Sequence, residues 1–141
     1  MKKVIIIVML LTIVFMSMNV CYAATGAGTL EPRYVSVAYY NNAFNINDSG
    51  MASFKLTISP NPQVMPDKVT AIVKIVNADT GSSAYTKTLA MSYSATTRKF
   101  TVTDSKQLTT SGEYEMKVIY KCYSGSTLLE TITATSVTDS F

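Results

Sequence analysis

Two glutamates stand two positions apart in the stretch LTTSGEYEMKVIY, residues 108–120. If this stretch is a β-strand, Glu113 and Glu115 lie on the same face, roughly 6.6 Å apart. Inverting glycosidases separate their catalytic acid and base by about that distance. However, Lys117 and Lys121 continue the same row, and alternating charge is typical of a solvated strand face. We therefore expect Glu113 and Glu115 to be surface residues and not a catalytic pair.

The composition also argues against other kinds of catalytic site and against a metal site. The chain has no histidine, which removes the usual general base at neutral pH and the commonest transition-metal ligand. Ser-His-Asp and Cys-His catalysis are thereby excluded. The stretch NINDSG, residues 45–50, gathers oxygen ligands, but only Asp48 is charged, so it predicts a turn and not a calcium loop. We expect a non-enzymatic protein without a cofactor or metal.

An aromatic cluster is the candidate ligand-binding site. In YYNNAF, Tyr39, Tyr40 and Phe44 lie at the end of a predicted strand, and Asn42 stands among them. Exposed aromatic rings beside amides can stack on a sugar or on a partner protein. The same pattern is compatible with packing, with Tyr39 facing the core and the other rings covering it. Both interpretations remain open from the sequence.

Short apolar alternations separated by Gly, Pro, Asn, Asp and Ser recur along the chain after residue 32. This spacing predicts an all-β sandwich or barrel. Val35, Val37 and Tyr39 are predicted to share one face of the first strand. A strand near residue 72 is apolar on both faces and is predicted to be central. The expected strands number seven, at about 33–40, 52–59, 69–77, 84–93, 98–104, 112–123 and 127–137.

The N-terminus has the pattern of a secretory signal peptide. Lys2 and Lys3 precede an apolar run that extends to about Met18, and small residues follow. Cleavage before Ala24 is expected, which divides the chain into a signal peptide (1–23), a flexible leader (24–31) and one domain (32–141). Two alternatives are an uncleaved N-terminal membrane anchor and lipidation at Cys21, which the preceding Val20 disfavours.

Cleavage changes both the charge and the cysteine count. The formal net charge of +3 falls to +1 when two lysines are removed, so neither nucleic acid nor an anionic membrane is an expected partner. Contact with a membrane is expected only through the N-terminal segment, if it is retained. Cys122 is left as a single thiol, either a small buried hydrophobe or one half of a disulfide between two chains.

One structural motif can be recognised in the sequence, and it consists of Leu108, Tyr114 and Met116. The Leu precedes the Tyr by six residues, and apolar residues alternate after it. This spacing resembles the tyrosine corner of immunoglobulin-like and fibronectin type III-like sandwiches, in which a Tyr hydroxyl bonds to upstream backbone. The resemblance implies a seven-stranded antiparallel Greek-key sandwich of a small secreted bacterial protein. The family's core Trp and inter-sheet cysteine pair are absent, and Met116 stands at one cysteine position.

These observations favour a secreted or cell-surface binding module that recognises a protein or a glycan. A second hypothesis is a structural, adhesin-type subunit that assembles through its edge strands. A third is a small secreted protease inhibitor that presents the loop SPNPQVMPD, residues 59–67.

Overall fold

The structure, a computed structural model, describes residues 34–141. The predicted signal peptide (1–23) and leader (24–31) lie outside the described residues. Within 34–141 there is no helix, and nine strands follow one another: β1 (Val37–Ile46), β2 (Met51–Pro60), β3 (Lys68–Asn77), β4 (Ser83–Ala90), β5 (Ser92–Ser94), β6 (Lys99–Gln107), β7 (Glu113–Ser124), β8 (Thr127–Thr133) and β9 (Val137–Ser140).

The strands form two antiparallel sheets. The first sheet has the order β1-β2-β6-β5, and the second has the order β4-β3-β7-β8, with β9 also paired to β7. The predicted all-β class is confirmed, and β3 is flanked on both sides, by β4 and β7, as its two apolar faces predict. Pro60 ends β2, and Pro62 and Pro66 lie in the loop between β2 and β3.

Alternate residues of both sheets form one hydrophobic core. Because side chains alternate between the two faces of a strand, every second residue of β2, β3 and β7 is buried while its neighbours are more exposed. The largest fully buried side chains come from both sheets: Tyr120, Phe100, Leu56, Ile58, Ile75, Met116 and Ile132. Cys122 belongs to this core as a free, buried thiol, and its burial raises its pKa.

The number of strands differs from the predicted seven because two predicted strands are each divided. The stretch 84–93 belongs to both sheets: β4 lies in the second and β5 in the first. Met91 is the crossing residue, buried, with its N–H donated to the Val69 carbonyl at 3.0 Å. The stretch 127–137 breaks after β8, and Ala134 N–H donates to the Val118 carbonyl at 3.0 Å before β9 begins. Apolar alternation continues through Met91, so it did not reveal the first break.

Three carboxylates join the two sheets at their edges. On one side Asp104 of β6 accepts hydrogen bonds from the Tyr85 hydroxyl at 2.8 Å and from Lys87 Nζ at 2.9 Å, both on β4. On the other side Asp139 of β9 accepts from the Ile46 N–H of β1 at 2.6 Å. Glu130 of β8 accepts from the N–H of Ser36, just before β1, at 2.9 Å. We call these three contacts the carboxylate clamps.

Tyr114 lies where the chain passes from the first sheet to the second, between β6 and β7. Its hydroxyl donates to the Thr110 carbonyl at 2.7 Å, and its side chain is 3 % exposed. Leu108, also buried, begins the crossing, and its N–H donates to the Gly50 carbonyl at 2.9 Å. Gly50 has φ +78°, and a Cβ there would lie 2.6 Å from the Phe141 ring, so glycine suits this crowded position.

Tyr114→Phe should lower the free energy of unfolding by about 1 kcal/mol, because it removes one hydrogen bond. Tyr114→Ala should lower it by about 3 kcal/mol or more, because it also leaves a cavity. Thermal and denaturant unfolding measure both values. Tyr93→Phe is the control, since the Tyr93 hydroxyl has no hydrogen bond in residues 34–141. Equal melting temperatures for the parent and both Tyr114 variants would contradict this account of the crossing.

The clamp at Asp104 should make stability depend on pH. Lys87, the Ser105 N–H and Tyr85 lower the pKa of Asp104 from 3.8 to about 2. A carboxylate with a lowered pKa stabilises the fold above its ordinary pKa, and that stabilisation is lost as the pH falls through the lowered value. Asp104→Asn should therefore cost about 1 kcal/mol at neutral pH. The cost should shrink between pH 3.8 and pH 2.

Melting curves of the parent and of Asp104→Asn across this pH range test the prediction. Asp48→Asn is the matched control, because Asp48 forms no ion pair within residues 34–141. A difference in melting temperature between the parent and Asp104→Asn that stays constant down to pH 2 would show that the clamp is not ionic.

Candidate functional site

The register of β1 separates the residues of the predicted binding site. A bulge between Val37 and Tyr39 shifts the pairing of β1 with β2 by one residue. A one-residue shift turns the following side chains to the opposite face. The prediction that Val35, Val37 and Tyr39 share one face is therefore wrong. Val37 is buried, whereas Val35 is 60 % and Tyr39 is 46 % exposed.

Tyr40, Asn42 and Phe44 lie on the inner face of β1, opposite to Tyr39. Phe44 packs against the core, and the Tyr40 ring lies 5.9 Å from the ring of Tyr120. The Tyr120 hydroxyl donates to Asn42 Oδ1, and burial raises the pKa of Tyr120. The structure thus does not bring the four predicted site residues together on one surface.

The predicted strand at 33–40, and with it the expected start of the connection to the second strand, also needs correction. The strand extends to Ile46, so Asn41 to Asn45 are strand residues, and the turn is confined to residues 47–50. Polar side chains are tolerated in β1 because its outer face is solvated. Asn47 Oδ1 accepts from the N–H of Ser49 and of Met51 in that turn. No group of acidic or cysteine side chains in residues 34–141 could hold a metal ion.

The outer face of the first sheet is covered by hydroxyl and amide side chains in aligned rows. Asn41 pairs with Thr57, which pairs with Thr101 on β6. One row further, Ala43 pairs with Lys55 and then Thr103, and the next row is Asn45, Ser53 and Ser105. We call this surface the polar face, and it comprises Tyr39, Asn41, Asn45, Ser53, Lys55, Thr57, Ser59, Thr101, Thr103 and Ser105.

Tyr39 stands at one end of the polar face and is held by a cation. Lys99 Nζ lies 5.5 Å from the centre of the Tyr39 ring. Hydrogen bonding by Lys99 and then by Ser59 lowers the pKa of the Tyr39 hydroxyl. The ring is thus oriented while nearly half of its surface stays open to solvent.

A shallow groove of about 620 Å³ crosses β1, β2 and β6 on the polar face, at residues 43–45, 53–55 and 103–105. Neighbouring residues within a row lie about 4.8 Å apart, from one strand to the next. Serine, threonine and asparagine each offer both donors and acceptors. The arrangement can bind a ligand rich in hydroxyl groups along the rows and stack one ring of it on Tyr39.

Most of the polar face lies outside the aromatic cluster that suggested a site. The alternation of β2 does indicate that Ser53, Lys55 and Thr57 point outward. The alignment of these residues with β1 and β6 depends on register, which is not readable from one sequence. Elsewhere Glu113 is exposed, and Glu115 forms an ion pair with Lys117 at 2.9 Å, which lowers the pKa of Glu115.

Comparisons of the chain with protein-family models, with curated protein sequences and with solved structures found no match. Residues 34–141 contain no helix of the length and apolarity needed to span a membrane.

Proposed function

We propose that the chain is a secreted or cell-surface binding module that recognises a glycan through the polar face. The observation that carries this proposal is the polar face itself. It presents aligned rows of hydroxyl and amide groups, a shallow groove across them, and an exposed tyrosine at one end. A sugar offers the matching features, namely hydroxyl groups that exchange hydrogen bonds and a ring face that stacks on an aromatic side chain.

Secretion is supported by the sequence of the first 23 residues, with two lysines, an apolar run and small residues before Ala24. The absence of histidine from the whole sequence supports a role in binding without catalysis. Glu115 is engaged by Lys117, which leaves Glu113 without a second free carboxylate beside it.

An immunoglobulin-like or fibronectin type III-like Greek-key sandwich is the proposed architecture. The order β1-β2-β6-β5 corresponds to the A-B-E-D sheet of the immunoglobulin fold, and β3-β7-β8 corresponds to its C-F-G sheet. The hydrogen bond of Tyr114 to Thr110, at the entry to β7, supports the same proposal.

Assembly through edge strands is a second candidate function. The outer edge of β4, over Ser83–Ala90, pairs with no other strand of residues 34–141. Such an edge can accept a strand from another copy. In contrast, the outer edge of β1 is partly occupied, since its Ile46 N–H is bound by Asp139. Cys122 is buried in the core and gives this candidate no support.

A glycan array, followed by titration of the best ligand, tests the proposed function. Tyr39→Ala should weaken the affinity by about tenfold, because the stacking contact is lost. Thr103→Val should weaken it as well, because it removes a hydroxyl group from the middle of the groove while keeping the shape of the side chain. Tyr93→Ala is the matched control, since Tyr93 is 41 % exposed but lies outside the polar face.

Failure of the array to identify any glycan would contradict the proposal. The same conclusion would follow if Tyr39→Ala and Thr103→Val bound the titrated ligand as tightly as the parent and Tyr93→Ala do. A shift of the parent chain to dimers or larger species on sizing, abolished by a proline in β4, would instead favour assembly through that edge.

A further inference from the structure

The outer face of the second sheet differs in chemistry from the polar face. Its two central strands, β3 and β7, direct lysines outward along most of their length. Lys74 pairs with Lys117, Ile72 with Ile119, and Lys121 follows beside Thr70. We call this surface the lysine face, and it comprises Lys68, Lys74, Lys117, Lys121, Ile72 and Ile119.

The lysine face carries positive charge that the fold does not neutralise. Lys74 and Lys117 are directly opposite each other, at a Cβ separation of about 5 Å, and like charges in that position destabilise a sheet. Lys117 has one carboxylate partner, Glu115. Neither Lys74 nor Lys121 forms an ion pair within residues 34–141. An anionic partner would relieve this repulsion.

Glu113 and Glu115 lie on the same outer face as these lysines, at the end where β7 pairs with β9, so four lysines stand there with two carboxylates. The other acidic residues named above lie away from this face. Asp104, Asp139 and Glu130 are engaged in the carboxylate clamps, at the edges between the sheets. Asp67 accepts the N–H of Gly125 at 2.7 Å, in the loops at one end of the domain. The net charge is small, but the charge is distributed unevenly and one face is cationic. The expectation that no anionic membrane is bound therefore does not follow from net charge alone.

Exposed apolar side chains continue the lysine face at one end. Lys68 pairs with Tyr123, which pairs with Leu128 on β8. Lys68 Nζ lies 5.4 Å from the centre of the Tyr123 ring, and Leu128 is 48 % exposed. The loop before β3, which presents Met65 at 46 % exposure, is tied to the same end because Asp67 N–H donates to the Tyr123 carbonyl.

We propose that the lysine face docks on an anionic phospholipid surface, with Leu128 and Met65 entering the headgroup region. Lysines close to such a surface attract its negative charge, and adjacent exposed apolar groups add burial at the interface. The groove on the polar face and a second groove around Thr109 and Tyr114 both lie away from the lysine face. The combination of lysines with exposed leucine and methionine favours a lipid over a purely acidic protein or soluble polyanion.

Co-sedimentation with vesicles tests the proposal on the full chain. The probe is phosphatidylcholine vesicles containing about one-third phosphatidylglycerol, compared with pure phosphatidylcholine. The parent should bind the anionic vesicles more tightly, and this preference should disappear at about 1 M salt, where the Debye length is about 3 Å. Residues 1–33 are the same in every variant, so any contribution they make is common to all.

Two double variants of equal net charge separate the face from the overall charge. Lys74→Gln with Lys117→Gln should weaken binding to anionic vesicles by roughly 30-fold, since each lysine near such a surface contributes about fivefold. Arg98→Gln with Lys106→Gln, outside the lysine face, should leave most of the affinity intact. Leu128→Ser leaves every lysine in place, and it should still weaken binding because it removes an apolar side chain from the docking surface. Circular dichroism checks that each variant is folded.

The proposal would be overturned if the two double variants lost affinity for anionic vesicles equally, because the affinity would then depend only on net charge. Equal binding of the parent to anionic and neutral vesicles would also overturn it. If the Lys74 and Lys117 variant lost affinity for soluble polyaspartate but not for vesicles, the face would serve an acidic protein and the lipid proposal would fail. None of these results depends on whether the polar face binds a glycan.

Discussion

The carboxylate clamps are the constraint on which the two faces of the molecule depend. Hydrophobic burial alone would hold two sheets together without defining how their edges meet, because it is not directional. Asp104 on one side, and Asp139 and Glu130 on the other, supply directional, charge-assisted contacts between the sheets. With the edges fastened in this way, each sheet is left with one outer face open to solvent.

The use of acids in these edge contacts also explains the distribution of charge. Lysines outnumber the remaining carboxylates on the outer face of the second sheet, while the first sheet presents mainly hydroxyl and amide groups. The two faces suit different partners. In the proposed arrangement the lysine face lies against an anionic membrane, and the polar face on the opposite side of the domain remains accessible to a glycan.

Several features were readable from the sequence because they depend on local periodicity. The alternation in β2 and β7 and the double apolar pattern of β3 predicted the strands and their inner faces correctly. The crossing of the chain between the sheets at Tyr114 was placed by the spacing from Leu108. Strand boundaries were missed where alternation continues through a break. This is the case at Met91, at which the chain passes from one sheet to the other. The prediction that Tyr39 shares a face with Val37 was wrong because a single bulge reverses the alternation of β1.

The candidate surfaces required information that one sequence does not contain. Tyr39 was singled out as an exposed aromatic residue, but its companions on the polar face come from β2 and β6, and only register brings them into rows. The opposition of Lys74 and Lys117 likewise depends on the pairing of strands far apart in the chain. A residue's outward direction can be read from alternation, whereas its neighbours across the sheet cannot.

Amide hydrogen exchange at Ile46 and Ser36 tests the carboxylate clamps most directly. Both N–H groups are donated to carboxylates of the opposite sheet and not to a neighbouring strand. The account predicts that they exchange slowly in the parent, and that Ile46 loses its protection in Asp139→Ala and Ser36 in Glu130→Ala, because alanine has no side-chain oxygen to accept the N–H, while the core amides of β3 stay protected. Rapid exchange of both amides in the parent, at the rate of unpaired edge amides, would contradict it.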